Sequence, residues 1–445
     1  MSLTCVISKQ KCRFSELENL QIPGDKSISH RAVILGSLLD ASVSFSNILM
    51  SEDCLNTMEI MKALGVSMQV SNQNLSIDGV GLYGLRPTES ILDVGNSGTS
   101  IRLLTGLLSA QPFSSTLTGD HSIQSRPMKR VMDPLSEMGA SIQSETKDDK
   151  SVPPLHIAPS KGLSGIDYKM PVASAQVKSC LLLAGLYAKT ETVIHEPEYC
   201  RDHTERLLGF LGAKIDKTEY QSRLLPNSKL QVPDNRTSFR IPSDISSAAF
   251  FLVLSVLTPN THIIFDGMGV NPTRDGIIQQ LNNMGASIYI ESLREELGEP
   301  VGELRVSSSD LKNTTIPKSL IPNLIDEIPI LTIAGIFADG DFEIRNAKEL
   351  RVKESDRLEQ LGKLCEAMGI RYEEFEDGIL IPDGQHISDF TYHSAGDHRM
   401  AMSAIIAALC AGVEATVEGC DAIATSFPSF FELLNTVGCQ FELSQ

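Results

Sequence analysis

The sequence predicts an α/β protein of two domains. Each domain comprises three copies of one strand–helix–strand–helix–strand unit whose first helix is buried. Two observations point to this: a helix–Gly–strand signature recurs six times, and every repeat holds a second, more apolar helical segment. Two Pro-containing segments then divide the six repeats into three and three.

The signature reads KALGVSMQV, SEMGASIQS, GFLGAKIDK, NNMGASIYI, EAMGIRYEE and NTVGCQFEL, centred on Gly65, Gly139, Gly212, Gly285, Gly369 and Gly438. Glycine after an amphipathic helix is the usual left-handed stop, which predicts an outer helix before it and a strand after it. The second segments are 30–39, 100–110, 176–188, 246–257, 328–338 and 398–409. They are apolar nearly all round, as a helix buried on every side must be. A β-like run such as ASVSFSNI (41–48) or THIIFDG (261–267) lies between the two helices. A turn and a further strand usually follow the strand after the glycine.

Six such units are too many for one core. Pro and Gly in Ile22–Pro23–Gly24 and Ile241–Pro242–Ser243 mark crossovers. A middle domain of 25–242 is therefore expected, with 1–24 and 243–445 forming the other.

The 445 residues carry a formal charge of −18. That balance speaks against a nucleic-acid binder, which needs a basic face for phosphates. The nine cysteines are scattered, odd in number and contain no CxxC, the pattern of a reducing compartment without a disulfide framework or zinc site. The N-terminus lacks the apolar stretch of a signal peptide, and the longest purely apolar run, Ala404–Ala411, is too short for a bilayer. A cytoplasmic protein with no membrane partner is expected.

The residues opening the helices are polar. Ser, Thr, Asn and Asp there are explained by N-capping alone. Capping does not explain Lys26, Arg126, Arg201, Arg274, Arg351, Lys353 and Arg399, because a helix N-terminus already carries partial positive charge. Cations gathered there require an anion, so a basic site for small phosphates or carboxylates is expected. GxxxxGK[ST] is absent, which removes the P-loop reading of Gly24–Ser27. Gly79–Gly84 matches GxGxxG but runs into Leu85-Arg86-Pro87 rather than a helix. Lys353-Glu354-Ser355-Asp356-Arg357 can equally be a solvated charge ladder, and Asp326-Glu327 a simple cap. His156, His195 and His386 read as strand or surface residues, and no cluster has metal-ligand spacing.

Five segments stand in order along the chain: 22–31 (IPGDKSISHR), 95–99 (GNSGT), 126–128 (RPM), 350–357 (LRVKESDR) and 397–402 (DHRMAM). Together they closely resemble the 5-enolpyruvylshikimate-3-phosphate synthase family. The resemblance implies two inside-out α/β barrel domains with threefold pseudosymmetry, hinged over a cleft that holds the active site. The implied reaction joins shikimate 3-phosphate to phosphoenolpyruvate and releases phosphate, with no cofactor and no metal, in a monomer. It implies that Lys26, Ser27, Arg31, Ser174, Gln176, Asp326 and Lys353 hold shikimate 3-phosphate, that Arg201 helps hold its phosphate, and that Asn96 and Ala175 also belong to the substrate-binding set. Lys26, Gly98, Arg126, Gln176, Arg357 and Arg399 would hold phosphoenolpyruvate. Asp326 would be the base on the 5-hydroxyl, and Glu354 the acid/base at the methylene, with Lys26 sharing proton transfer. A carboxylate among cations should have a lowered pKa, which favours a base. Gly98 lets a helix N-terminus approach an anion, or else serves a turn with positive φ.

Ala175 replaces a Ser of one branch of the family, and Thr425 replaces a Lys, which bears on inhibition by glyphosate. Two rivals remain. One is the related transferase acting on a UDP-linked amino sugar, which typically uses a loop Cys that the Arg126 segment lacks. The other is a non-catalytic phosphate binder, which would have no use for Asp326, Glu354 and Lys26 together.

Overall fold

The computed structural model describes residues 3–9 and 19–445; Cys12 lies outside them. Inner helices are α1 (Lys26–Ser37), α3 (Gly98–Leu108), α5 (Ala175–Gly185), α7 (Ile245–Leu257), α10 (Ile328–Phe337) and α12 (His398–Ala411). Outer helices are α2 (Glu52–Ala63), α4 (Lys129–Glu137), α6 (His203–Phe210), α8 (Gly276–Asn283), α11 (Arg357–Met368) and α13 (Phe430–Thr436). A one-turn helix, α9 (Ile321–Leu324), precedes α10. The six signature glycines follow the outer helices with φ between 74° and 102°, so each is the left-handed stop the sequence predicts.

Each repeat owns one sheet. In the second, the strand before the inner helix, Leu92–Asp93, runs parallel to the strand after it, Ser115–Thr118. The hairpin Ile142–Lys147 and Lys150–Ile157 completes the sheet antiparallel. The third sheet repeats this with Asp167–Lys169, Thr192–His195, Ile215–Thr218 and Gln221–Leu224. The first sheet takes its parallel strand, Ser238–Arg240, from the far end of the middle segment. The fourth takes Asn19–Leu20, and the sixth is completed by the N-terminal strand Thr4–Ile7 lying between Ala415–Glu418 and Glu442–Ser444. The fifth sheet has three strands; its parallel pairing shrinks to a single bridge between Lys312 and Asp339.

The chain divides into two compact units. The terminal unit comprises 1–23, 243–294 and 300–445; the inserted unit comprises 24–242 together with the hairpin tip 295–299. Each has its own hydrophobic core around its inner helices. In the terminal unit every residue of α7 from Ile245 to Val256 is buried, and Phe250 and Phe251 meet Phe427 and Phe430 edge-on. Each such side chain contributes roughly 1.5–3 kcal/mol. In the inserted unit α3 and α5 touch so closely that a Cβ on Gly106 would lie 2.1 Å from the Cys180 carbonyl oxygen. That approach brings the starts of the two helices together. No single helix among the described residues is long and apolar enough to cross a membrane.

Candidate active site

In the inserted unit, inner helices α1, α3 and α5 open with side-chain caps. Asp25 accepts from the Ile28 N–H, Ser97 from Ser100 and Ser174 from Val177. The capping explanation therefore holds for these residues. Lys26 begins α1, and its ammonium lies 2.8 Å from Asp53 at the start of α2. Arg31 is buried; its Nε donates to Thr204 at 2.6 Å, Nη1 to the Ser27 carbonyl at 2.9 Å and Nη2 to Ser179 at 2.8 Å. Burial pulls its pKa down to about 10, against Glu205 and Asp25. Arg201 stands in the segment before α6, near enough to Arg31 to lower that pKa further.

Around α3, Arg126 Nη2 donates to Asn96 Oδ1 at 3.1 Å and to Ser122 Oγ at 3.3 Å. Gln176, on α5, accepts from Arg102 at 2.6 Å and donates to Thr99 at 3.2 Å. Gly98 is the first residue of α3 and lacks positive φ, so the turn explanation fails. A Cβ there would lie 2.6 Å from Arg126 Nη1 and 3.0 Å from Arg102 Nη1. The flexible ends of two arginines therefore crowd the position. Arg102 escaped the sequence reading, although its i+4 spacing from Gly98 was available; it also donates to the Gly98 carbonyl at 2.9 Å. The inserted unit thus assembles Lys26, Ser27, Arg31, Asn96, Gly98, Arg126, Ser174, Ala175, Gln176 and Arg201 at or beside the starts of its helices.

His30 lies beneath them, fully buried. Its Nδ1 is 2.8 Å from Thr57 Oγ1 and 3.2 Å from Ser100 Oγ. Burial first, then Lys26 and Arg31, push its pKa well below 6.5, so the ring is neutral.

The terminal unit differs. Arg357 opens α11 with a 1 % exposed side chain, so the solvated-ladder explanation fails. Its guanidinium lies 2.8 Å from Asp397, 2.6 Å from Glu354 and 3.4 Å from Asp326. Burial disfavours its charge, but Asp397, Glu354 and Asp326 outweigh that and raise its pKa. Asp397, opposed by burial, is held below the ordinary carboxylate range by Arg357. Lys353 lies 3.3 Å from Asp326. Arg399 donates to the Asp326 carbonyl at 2.9 Å and lies 3.4 Å from Glu327. Glu327 makes no side-chain cap; buried, it takes the Ser246 hydroxyl, on which Arg274 also donates. In this unit the chain's own carboxylates stand beside the cations. Among the described residues no group of His, Cys, Asp and Glu is placed to hold a metal.

A family profile described as EPSP synthase (3-phosphoshikimate 1-carboxyvinyltransferase) matches residues 17–434. The chain belongs to the EPSP synthase family. The 3-phosphoshikimate 1-carboxyvinyltransferase of Methylococcus capsulatus is 46% identical over 427 residues, 96% of each chain. That of Desulforamulus reducens is 44% identical over 422 residues, 94% of this chain and 96% of the relative. The solved EPSP synthase of Acinetobacter baumannii is similar over the full length of both chains, with TM-score 0.89 and 40% identity. The enolpyruvyl transferase NikO of Streptomyces tendae, at TM-score 0.75 and 16% identity, shares the fold.

Proposed function

We infer that this chain is a 3-phosphoshikimate 1-carboxyvinyltransferase of the shikimate pathway of aromatic amino-acid biosynthesis. It transfers the enolpyruvyl group of phosphoenolpyruvate to the 5-hydroxyl of shikimate 3-phosphate and releases phosphate. One observation favours an enzyme over a phosphate binder: Asp326 and Glu354 share the Arg357 guanidinium at 3.4 Å and 2.6 Å. A binder gains nothing from two carboxylates set among its cations, whereas proton transfer requires them.

Lys26, Ser27, Arg31, Ser174, Ala175, Gln176, Arg201, Asp326 and Lys353 are assigned to shikimate 3-phosphate. Lys26, Asn96, Gly98, Arg126, Gln176, Arg357 and Arg399 are assigned to phosphoenolpyruvate. The planar forks of the arginines suit carboxylate and phosphate, and several cations together offset the repulsion of two anionic substrates. Asp326 takes the proton of the 5-hydroxyl as its oxygen attacks C2 of phosphoenolpyruvate. Glu354, with Lys26, delivers a proton to the methylene. The tetrahedral intermediate then returns that proton and expels phosphate. The enzyme works as a cytoplasmic monomer, a setting that the free thiols of the described cysteines favour.

Phosphate release should require both substrates together. Release from phosphoenolpyruvate alone, or none with both present, overturns the assignment. Turnover of a UDP-linked amino sugar in place of shikimate 3-phosphate would favour the related transferase.

A further inference from the structure

Behind Arg31 and Arg201 lies a charged cluster that the proposed mechanism does not use. Lys178 sits in α5 among Val177, Cys180 and Leu181, and its side chain is fully buried. Its ammonium lies 2.8 Å from Glu196 and 2.7 Å from Glu205, carboxylates that are themselves 0 % and 2 % exposed. Burial works against the charge, but Glu205, Cys200 and Glu196 outweigh it and raise the Lys178 pKa. Packing alone would be served by leucine, since a buried ion cluster adds little net stability.

What the cluster grips is the segment leading to Arg201. Glu196 Oε2 accepts from the Cys200 N–H at 3.2 Å and from its thiol at 2.7 Å, while Lys178 Nζ donates to the Cys200 carbonyl at 3.4 Å. The residue immediately before Arg201 is thus held by both its main-chain groups. Glu205 also accepts from Ser222 at 3.0 Å. It follows Thr204, whose hydroxyl bonds Ser179 at 2.6 Å and receives Arg31 Nε. Ser179 in turn follows Lys178 and receives Arg31 Nη2. Both arginines therefore rest on neighbours of one ion cluster.

We propose that Lys178 is a positioning residue for phosphate recognition: by tying Glu196 and Glu205 to α5, it fixes Arg201 where it meets the phosphate of shikimate 3-phosphate. This rests on the assignment of Arg201 to shikimate 3-phosphate under the proposed function. The substrate's own chemistry supplies the test, since shikimate lacks the phosphate. Affinities for shikimate 3-phosphate and for shikimate would be measured for the native enzyme, Arg201→Ala, Lys178→Met and Glu196→Gln. Lys178→Met should weaken shikimate 3-phosphate at least ~10-fold, about 1.4 kcal/mol, while shikimate and the KM for phosphoenolpyruvate stay within about threefold. Glu196→Gln keeps the Lys178–Glu205 pair and so retains the fold. It should weaken shikimate 3-phosphate at least ~3-fold with the same selectivity, and it decides the matter if Lys178→Met does not fold. If Arg201→Ala binds both ligands normally, the arginine assignment fails. If Arg201→Ala loses discrimination but Glu196→Gln and folded Lys178→Met keep it, the role of Lys178 is overturned. Equal weakening of both ligands would likewise overturn it, leaving only a packing role.

Discussion

The two units raise helix starts from the same repeat, yet they treat their cations differently. In the inserted unit, the hydrogen bonds of Arg31 go to Thr204, Ser179 and the Ser27 carbonyl, and those of Arg126 to Asn96 and Ser122. Neutral acceptors aim a guanidinium without cancelling its charge. In the terminal unit Arg357 has three carboxylates, Lys353 has Asp326 and Arg399 has Glu327. There the cations are neutralised, and in return they fix carboxylates in place. Arg31 and Arg126 of the inserted unit are thus aimed by neutral acceptors, whereas the terminal unit sets its cations against carboxylates.

The largest expected effect tests that division directly. Asp326→Asn and Glu354→Gln preserve size and remove proton transfer, so each should lower kcat by ~10³, about 4 kcal/mol of barrier. Calorimetry should show Glu354→Gln binding shikimate 3-phosphate within a few-fold of the native enzyme. Loss of binding with turnover intact would mean that the two units do not divide the work in this way.

Next comes stability. Asp397→Asn breaks a pair whose side chains are 1 % and 0 % exposed, and should cost about 3 kcal/mol. Asp53→Asn breaks the Lys26 pair, where the lysine is 25 % exposed, and should cost about 1 kcal/mol. The shifts of the urea midpoint, compared at constant m, report the ratio. Equal shifts would remove the contrast between the fully buried pair of the terminal unit and the partly exposed pair of the inserted one.

Gly98→Ala probes the inserted unit alone. The new methyl would displace the Arg126 and Arg102 guanidiniums, which are flexible side-chain ends, rather than strain the backbone. Glyphosate should compete with phosphoenolpyruvate on the native enzyme. As the longer ligand it should lose more space, so its inhibition constant should rise at least ~10-fold, about 1.4 kcal/mol, with a smaller rise in KM. Equal rises for both would mean that only the arginines moved.

How much of this was legible in sequence follows from the range of each interaction. Gly65 and its five counterparts were readable because a left-handed stop is set by the residue itself. The buried helices were readable because all their faces are apolar. Asp326, Glu354 and Arg357 were found through motif resemblance, but their mutual pairing was not, since Arg357 and Asp397 meet only through the packing of α11 on α12. Lys178 was hidden by its setting, a single charge inside an apolar helix whose partners lie 18 and 27 residues away. Thr4–Ile7 looked like any short strand, and only the closed ring of repeats places it beside Ala415–Glu418. The tip 295–299 was assigned by chain order to the terminal unit, yet buried Leu297 and the His203–Glu299 contact at 2.7 Å make it part of the inserted one.

The smallest effect concerns His30, which joins α1, α2 and α3 of the inserted unit through Thr57 and Ser100. Its folded pKa lies well below the ordinary 6.5 because burial, Lys26 and Arg31 all oppose a charged ring. The unfolded chain therefore binds more protons than the folded one between the folded pKa and 6.5. Stability from this group is complete above about pH 6.5 and falls as pH drops, with a limiting slope of about 1.4 kcal/mol per pH unit. Between pH 6.5 and 5.5 the loss should be about 1 kcal/mol. His30→Asn keeps an acceptor near Thr57 and cannot titrate, so its stability should be lower at pH 7.5 but flatter towards pH 5.5. The quantity to measure is the difference between the two proteins in urea titrations across that range, because carboxylates common to both cancel. A constant difference would show that His30 carries no such proton linkage. A difference that narrows with acid would establish that the helix starts of the inserted unit are assembled on a neutral histidine.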